Sequence, residues 1–143
     1  MNETFDSIVI GAGQAGPAMA ARLAASGERV ALIERDQMGG TCVNTGCMPT
    51  KTLVASAHAA WLAREGERFG IITGPVAVDL ARVRARKEAV VQTARGNVTR
   101  WMENTAGITV IRGHARFTGP DTVAVADRHL QAAGADAPVH HGG

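Results

Sequence analysis

Apolar positions along this chain follow two periods, and the switches between them mark its elements. Phe5 to Ile10 is a short apolar run that stops at glycine, FDSIVIGAG. Its length and its stop predict a buried strand of a parallel sheet. Gln14 to Ala25 is alanine-rich, with Met19 and Leu23 at helical spacing, and predicts a helix that Ser26-Gly27-Glu28 ends. Arg29 to Ile33 predicts a second strand, closing on Glu34. Together these make a β-α-β unit of about 30 residues with a right-handed crossover.

Residues 35–48 have no period and predict a loop. From Pro49 to Glu65 the pattern is helical again, with Pro49 in the first turn and Leu53, Ala57 and Trp61 on one face. Residues 70–78 read as extended or loop. Asp79 suits an N-cap. A long amphipathic helix follows to about Asn104, faced by Leu80, Val83, Val90, Val91, Ala94, Val98 and Met102; Gly96 lies inside it. Ile108 to Ile111 predicts a strand that turns at RGHARF. Thr122 to Ala126 predicts another after the turn residues GPD, the two pairing as a hairpin. Residues 131–143 are expected to be an irregular tail, His140 and His141 included. The fold class is therefore α/β: an incomplete Rossmann-like domain over residues 1–130, with a parallel sheet, a long helix and a β-hairpin.

Composition narrows the function. The chain has 143 residues, 45% of them hydrophobic and 20% charged, which suits one globular domain. Its 15 basic and 13 acidic residues leave a formal charge of +2, too balanced to point to nucleic acid or a membrane surface. The basic stretch Arg82 to Lys87 reads as a solvated helix face. No run of about 18 apolar residues predicts a membrane span. The N-terminus lacks a basic region before its apolar run, so no signal peptide is expected and the cytoplasm is the expected location.

Candidate chemistry begins at residues 11–16, GAGQAG. This G-x-G-x-x-G follows a predicted strand, opens a predicted helix, and has an acid, Glu34, about 20 residues further on. Gly11 permits the tight turn, Gly13 lets backbone approach a pyrophosphate, and Gly16 lets the helix pack on the strand. Gly11, Ala12, Gly13 and Gly16 are thus candidate cofactor contacts, and Glu34 a ribose acceptor. The fingerprint does not separate FAD from NAD.

The chain's two cysteines, Cys42 and Cys47, lie in GGTCVNTGCMPTK. A zinc site needs about four ligands, and no histidine is spaced near the pair. A structural disulfide would close a short loop for little chain-entropy gain, in a reducing compartment. A redox pair has support instead. Cys47 precedes a helix whose positive end favours a thiolate, and the pair directly follows the nucleotide unit.

GAGQAG, Glu34 and GGTCVNTGCMPTK together resemble the flavoprotein disulfide reductases, among them glutathione reductase, dihydrolipoamide dehydrogenase and mercuric reductase. Val43-Asn44 and Met48-Pro49-Thr50-Lys51, with the later GITVIRGHARF, look most like the mercuric reductase branch. The resemblance implies FAD in the glycine site and NAD(P)H as electron source. It implies that Cys47 contacts the flavin and Cys42 exchanges with substrate. Lys51 would stand near the flavin N5, Thr41 and the Gly40 backbone near the pyrophosphate, and the Gly113-His114-Ala115 backbone, from Gly113 to Ala115, at the adenine. His114 itself reads as a turn residue. The implied substrate is a small molecule or metal ion, with Hg(II) the first choice and Cys42 and Cys47 its thiolate ligands. Full-length relatives are homodimers.

The expectation has alternatives: a dihydrolipoamide dehydrogenase or glutathione reductase type, a non-catalytic flavin-binding module, or a thiol metal carrier. The family's chains are longer. No second G-x-G-x-x-G follows residue 16, and a nicotinamide-binding and a dimerisation domain are expected to be absent. The isolated chain is expected to fall short of full turnover with NAD(P)H.

Overall fold

Two four-stranded sheets lie face to face, and one is backed by helices. The computed structural model describes residues 3–133 and, as backbone, 139–141. The parallel sheet contains β2 (Ser7–Ile10), β3 (Val30–Glu34), β4 (Ile108–Arg112) and β8 (Val139–His141), in the order β4-β3-β2-β8. The second sheet contains β1 (Glu3–Phe5), β5 (Ala115–Phe117), β6 (Thr122–Val125) and β7 (Arg128–Ala132), in the order β1-β7-β6-β5.

Strand alternation divides the core. From the parallel sheet Ile8, Ala31, Ile33 and Ile111 point between the sheets, where they meet Phe5, Val123, Val125 and Leu130. Val9, Val30 and Leu32 point the other way, onto Ala12, Ala20, Met38 and Met102. Both faces of β3 are therefore buried, which is why its sequence, VALIE, shows no polar alternation.

The β-α-β unit forms as expected: β2, α1 (Gly16–Ala25), β3, with β2 and β3 parallel from Ser7↔Val30 to Ile10↔Ile33. The helix starts at Gly16 rather than Gln14, with Pro17 in its first turn. Gly16 is required by close approach, since a Cβ there would lie 1.9 Å from the Gly11 carbonyl oxygen. Met19, 39% exposed, faces away from the sheet.

Several expectations give way. Residues 5–10 are not one strand. The chain breaks at Asp6, whose N–H donates to Arg29 O at 2.9 Å and whose carboxylate accepts the Arg29 N–H at 2.7 Å. β1 goes to one sheet and β2 to the other. The hairpin expected between residues 108–111 and 122–126 does not form. β4 pairs parallel with β3, and β6 pairs antiparallel with β5 and β7. RGHARF is a crossing between the sheets that runs from the last residue of β4 through the whole of β5. Residues 131–143 are not all irregular either. Gln131 and Ala132 belong to β7, and Val139–His141 run parallel to β2. The side chains of His140 and His141 lie outside the described residues.

The loop expected over 35–48 holds a short helix, α2 (Gly40–Asn44), and the first two residues of α3 (Cys47–Arg64). The face Leu53, Ala57 and Trp61 is exposed; the buried residue of α3 is Thr52. The long helix, α4 (Leu80–Asn104), is capped as expected, with the Asp79 carboxylate accepting the Arg82 N–H at 3.0 Å. It buries Val91 and Met102, while Leu80 is 63% exposed. Within the Arg82 to Lys87 stretch, Arg86 is a tie between helices: one amino group donates to Thr52 O at 2.9 Å and Ser56 Oγ at 3.1 Å. Among the described residues no helix is long and apolar enough to cross a membrane.

Candidate functional site

The carboxyl ends of β2 and β3 open onto a crevice of about 640 Å³. Crevices at this end of an open parallel sheet are where α/β folds bind nucleotides. Seven of the expected residues line it: Gly11, Gly13, Glu34, Gly40, Thr41, Gly113 and Ala115. Gly16 and Ala12 act from beneath, Gly16 by holding α1 close and Ala12 through its N–H.

Glu34 is 8% exposed and ends β3. Its Oε2 accepts the Ala12 N–H at 2.7 Å, and its Oε1 accepts the Asp36 N–H at 2.8 Å. The Gly113 N–H donates to the Glu34 backbone oxygen at 2.9 Å, so the crossing to β5 is tied to the same strand end. Each carboxylate oxygen retains lone-pair capacity for a ribose hydroxyl.

Opposite the glycine turn stands α2. Gly40 has φ +58°, and a Cβ there would meet Gly13 Cα at 2.8 Å. Two glycines face each other across the floor of the crevice, and the backbone presented there leaves space for a pyrophosphate. The donor set therefore fits a dinucleotide: free N–H groups of the α1 turn, small residues at the phosphates and a carboxylate at the ribose.

Thr41 lines the crevice and Cys42 is the next residue, so the cysteine pair adjoins the cavity without lining it. Both cysteines are free thiols in this structure, Cys42 partly buried and Cys47 exposed. The Thr45 N–H donates to Thr41 O at 2.9 Å and the Thr50 N–H to Gly46 O at 3.1 Å; these turns fold α3 back beside α2. The two thiols lie close enough to interact: Cys47, together with partial burial, raises the Cys42 pKa, and Lys51 opposes that shift. Lys51 follows Cys47 by one turn on the same face of α3.

Among the cavity residues that the sequence did not single out, two are joined to each other. Asn44 was visible as part of GGTCVNTGC, with no role attached. Its Nδ2 donates to Gly40 O at 2.8 Å and Met38 O at 3.0 Å. Arg95 had no local signal at all. It comes from the middle of α4, and its Nε donates to Asn44 Oδ1 at 2.7 Å. His114 lines the crevice beside Ala115.

A parallel β-α-β crevice with a glycine turn defines this chain as a dinucleotide-binding α/β protein. More narrowly, it belongs to the pyridine nucleotide-disulphide oxidoreductase family, whose model matches residues 5–140. Members of that family are FAD-dependent flavoproteins that use NAD(P)H. The chain is similar to a dihydrolipoyl dehydrogenase of Bacillus subtilis, 36% identical over 84% of this chain and 25% of the relative. A dihydrolipoyl dehydrogenase of Chlamydia pneumoniae is 36% identical over 91% of this chain and 30% of the relative. Among solved structures it is similar to the Cu(II) complex of the HOCl-induced flavoprotein disulfide reductase RclA from Escherichia coli. That match has a TM-score of 0.75 and 33% identity over 92% of this chain and 27% of the other. The chain thus spans a quarter to a third of these relatives. None of the three is a mercuric reductase. The expected mercuric branch gains no support from them, and the dihydrolipoamide dehydrogenase alternative fits them better.

Proposed function

We propose that this chain is the FAD-binding part of a disulfide oxidoreductase that acts on a dithiol or disulfide substrate of the dihydrolipoyl kind. The observation that carries the reading is the dinucleotide crevice whose lining at Thr41 runs directly into the Cys42–Cys47 pair of free thiols. FAD bound in the crevice would supply two-electron exchange with a nicotinamide and with the cysteine pair.

The residues divide the work. Gly11, Ala12, Gly13 and Gly16 set the turn for the pyrophosphate, Glu34 takes the ribose, Gly40 and Thr41 close the phosphate end, and Gly113 and Ala115 line the adenine end. Lys51 brings positive charge to the thiols. Once Cys42 gives up its proton, its sulfur attacks one sulfur of a substrate disulfide and releases the other as thiolate. The Cys47 thiolate then attacks Cys42 and releases the second substrate sulfur, leaving Cys42–Cys47 oxidised. Two electrons pass to the substrate and two protons balance them. Cys47 raises the Cys42 pKa, so attack near neutral pH calls for a base beside it. We infer NAD(P)H as the electron source, a homodimer for a full-length protein of this kind, and a reducing, cytoplasmic setting.

A second reading takes Hg(II) as the substrate, held between the two thiols; their pairing and softness favour it. The test is common to both. The wild-type chain should purify yellow, and a two-electron reduction of the oxidised form should add two titratable thiols. Cys42→Ser should keep the flavin and lose that gain. Unchanged thiol counts after reduction of the wild type sink the redox reading. Lipoamide and Hg(II), offered as thiol-reactive acceptors to the reduced chain, separate the two substrates.

A further inference from the structure

Arg95 is a half-buried cation in the wall of the crevice, on α4, far in sequence from the glycine turn. Its Nε is used by Asn44 Oδ1 at 2.7 Å. A guanidinium has five N–H donors, so its two terminal amino groups remain. Among the described residues Arg95 forms no ion pair. The Glu34 carboxylate in the same crevice is occupied by the Ala12 and Asp36 N–H groups. Glu88 on the same helix feels the Arg95 charge but takes no hydrogen bond from it, and a partly desolvated guanidinium in that state suits an anion that accepts two parallel bonds, such as a phosphate.

Asn44 gives that charge a mechanical connection. Its side-chain amide is satisfied on both sides: the oxygen by Arg95, the nitrogen by Met38 O and Gly40 O. Asn44 closes α2, the helix that carries Thr41 and Cys42. A shift of Arg95 toward an anion therefore pulls on the helix that holds Cys42.

We propose that Arg95 binds the diphosphate of the dinucleotide and, through Asn44, ties occupancy of the crevice to the position of Cys42. This rests on the dinucleotide reading above. It makes Arg95 a binding residue and Asn44 a positioning residue.

ADP is the probe, because it carries the diphosphate but has no flavin to cover the thiols. Affinities for ADP and FAD would be measured on the wild type, Arg95→Met and Arg95→Lys, with folding checked by circular dichroism. Arg95→Met should bind ADP and FAD about 10- to 100-fold more weakly, the range of a charge-assisted hydrogen bond. Arg95→Lys, which keeps the charge but loses the two-pronged guanidinium, should bind ADP more weakly than wild type and more tightly than Arg95→Met. The second readout is iodoacetamide labelling of Cys42, followed by mass spectrometry. Saturating ADP should change its rate in the wild type, and adenosine should not; in Arg95→Met and in Asn44→Ala, ADP should leave the rate unchanged. If Arg95→Met binds ADP as the wild type does, or Arg95→Lys is as weak as Arg95→Met, the diphosphate assignment is overturned. If ADP alters Cys42 labelling equally in wild type and Asn44→Ala, the coupling is overturned. A wild type that binds neither ADP nor FAD instead overturns the dinucleotide reading itself.

Discussion

The Glu34 carboxylate accepts the Ala12 N–H at 2.7 Å, linking the end of β3 to the glycine turn after β2. Its other oxygen accepts the Asp36 N–H at 2.8 Å. An acid at this position thus does two jobs. It completes the hydrogen bonding of the turn that forms the crevice, and it offers its remaining lone pairs to a ligand.

Glu34→Gln separates those jobs. A glutamine has one oxygen and one NH2, so it can accept one of the two backbone N–H groups and faces the other with a donor. The orphaned, largely buried N–H should cost about 1–3 kcal/mol of stability. Urea unfolding of the two chains, compared at equal slope, checks the figure. Glu34→Asp should also lose stability, because its shorter side chain does not span both amides.

Cys42 should titrate late. The neighbouring Cys47 thiol favours the protonated form of Cys42 in the folded state. The folded pKa therefore lies above the ordinary thiol value of 9.0. The stability this contributes is present below the unfolded pKa and is lost as pH rises through the folded one. Iodoacetamide labelling of Cys42 against pH should give a midpoint above that of a free thiol. Cys47→Ala should bring the midpoint down; a midpoint that stays where it was would show that Cys47 is not the cause.

How far the sequence revealed this molecule depends on the range of each interaction. The β-α-β unit was legible because its signals are local: a buried strand, a glycine turn, a helix and an acid at a fixed interval. Asp79 was legible for the same reason, since a cap acts on the next turn. What escaped is pairing. FDSIVI carries no mark of where Asp6 divides it between two sheets, and ITVI and TVAVA look alike although one pairs in parallel with β3 and the other antiparallel with β5 and β7. At the site, the glycines and cysteines were readable as a string. Arg95 was not, because its partner Asn44 lies 51 residues away and nothing in QTARGNV announces it. The apolar face of α3 misled for another reason: helical spacing shows which residues share a face, and not whether anything covers it.

The small sheet should be acid-sensitive at one edge. Arg128 donates to both oxygens of Glu3, at 2.7 and 2.6 Å, and joins β7 to β1. This bidentate bond holds the Glu3 pKa below its ordinary 4.5 and raises that of Arg128. A lowered carboxylate pKa contributes stability above the unfolded value and loses it as pH falls through the folded one. Glu3→Gln should therefore melt slightly below wild type near neutral pH, and the two melting curves should start to converge near pH 4.5 and meet below the lowered folded pKa. Salt should shrink the difference, as both groups are exposed. Parallel melting curves at every pH would show that the pair does not stabilise this edge.

Gly40→Ala tests the floor of the crevice. The residue has φ +58°, a left-handed conformation that costs an L side chain roughly 1–2 kcal/mol. The added methyl also starts 2.8 Å from Gly13 Cα, which is backbone and cannot swing aside. The start of α2 must then move away from the glycine turn. Gly13 and Gly40 both line the crevice, so the change should strike ligand binding harder than folding. The expected result is a chain that still folds, about 1–3 kcal/mol less stable, with ADP affinity down by at least tenfold. Gly27→Ala is the control: its φ is +94°, so it bears comparable backbone strain, and its Cβ would meet nothing within 4 Å. It should lose stability and keep its ADP affinity. Equal binding losses in the two variants would show that strain spreads through the whole domain, and that the approach of Gly40 to Gly13 does not shape the site.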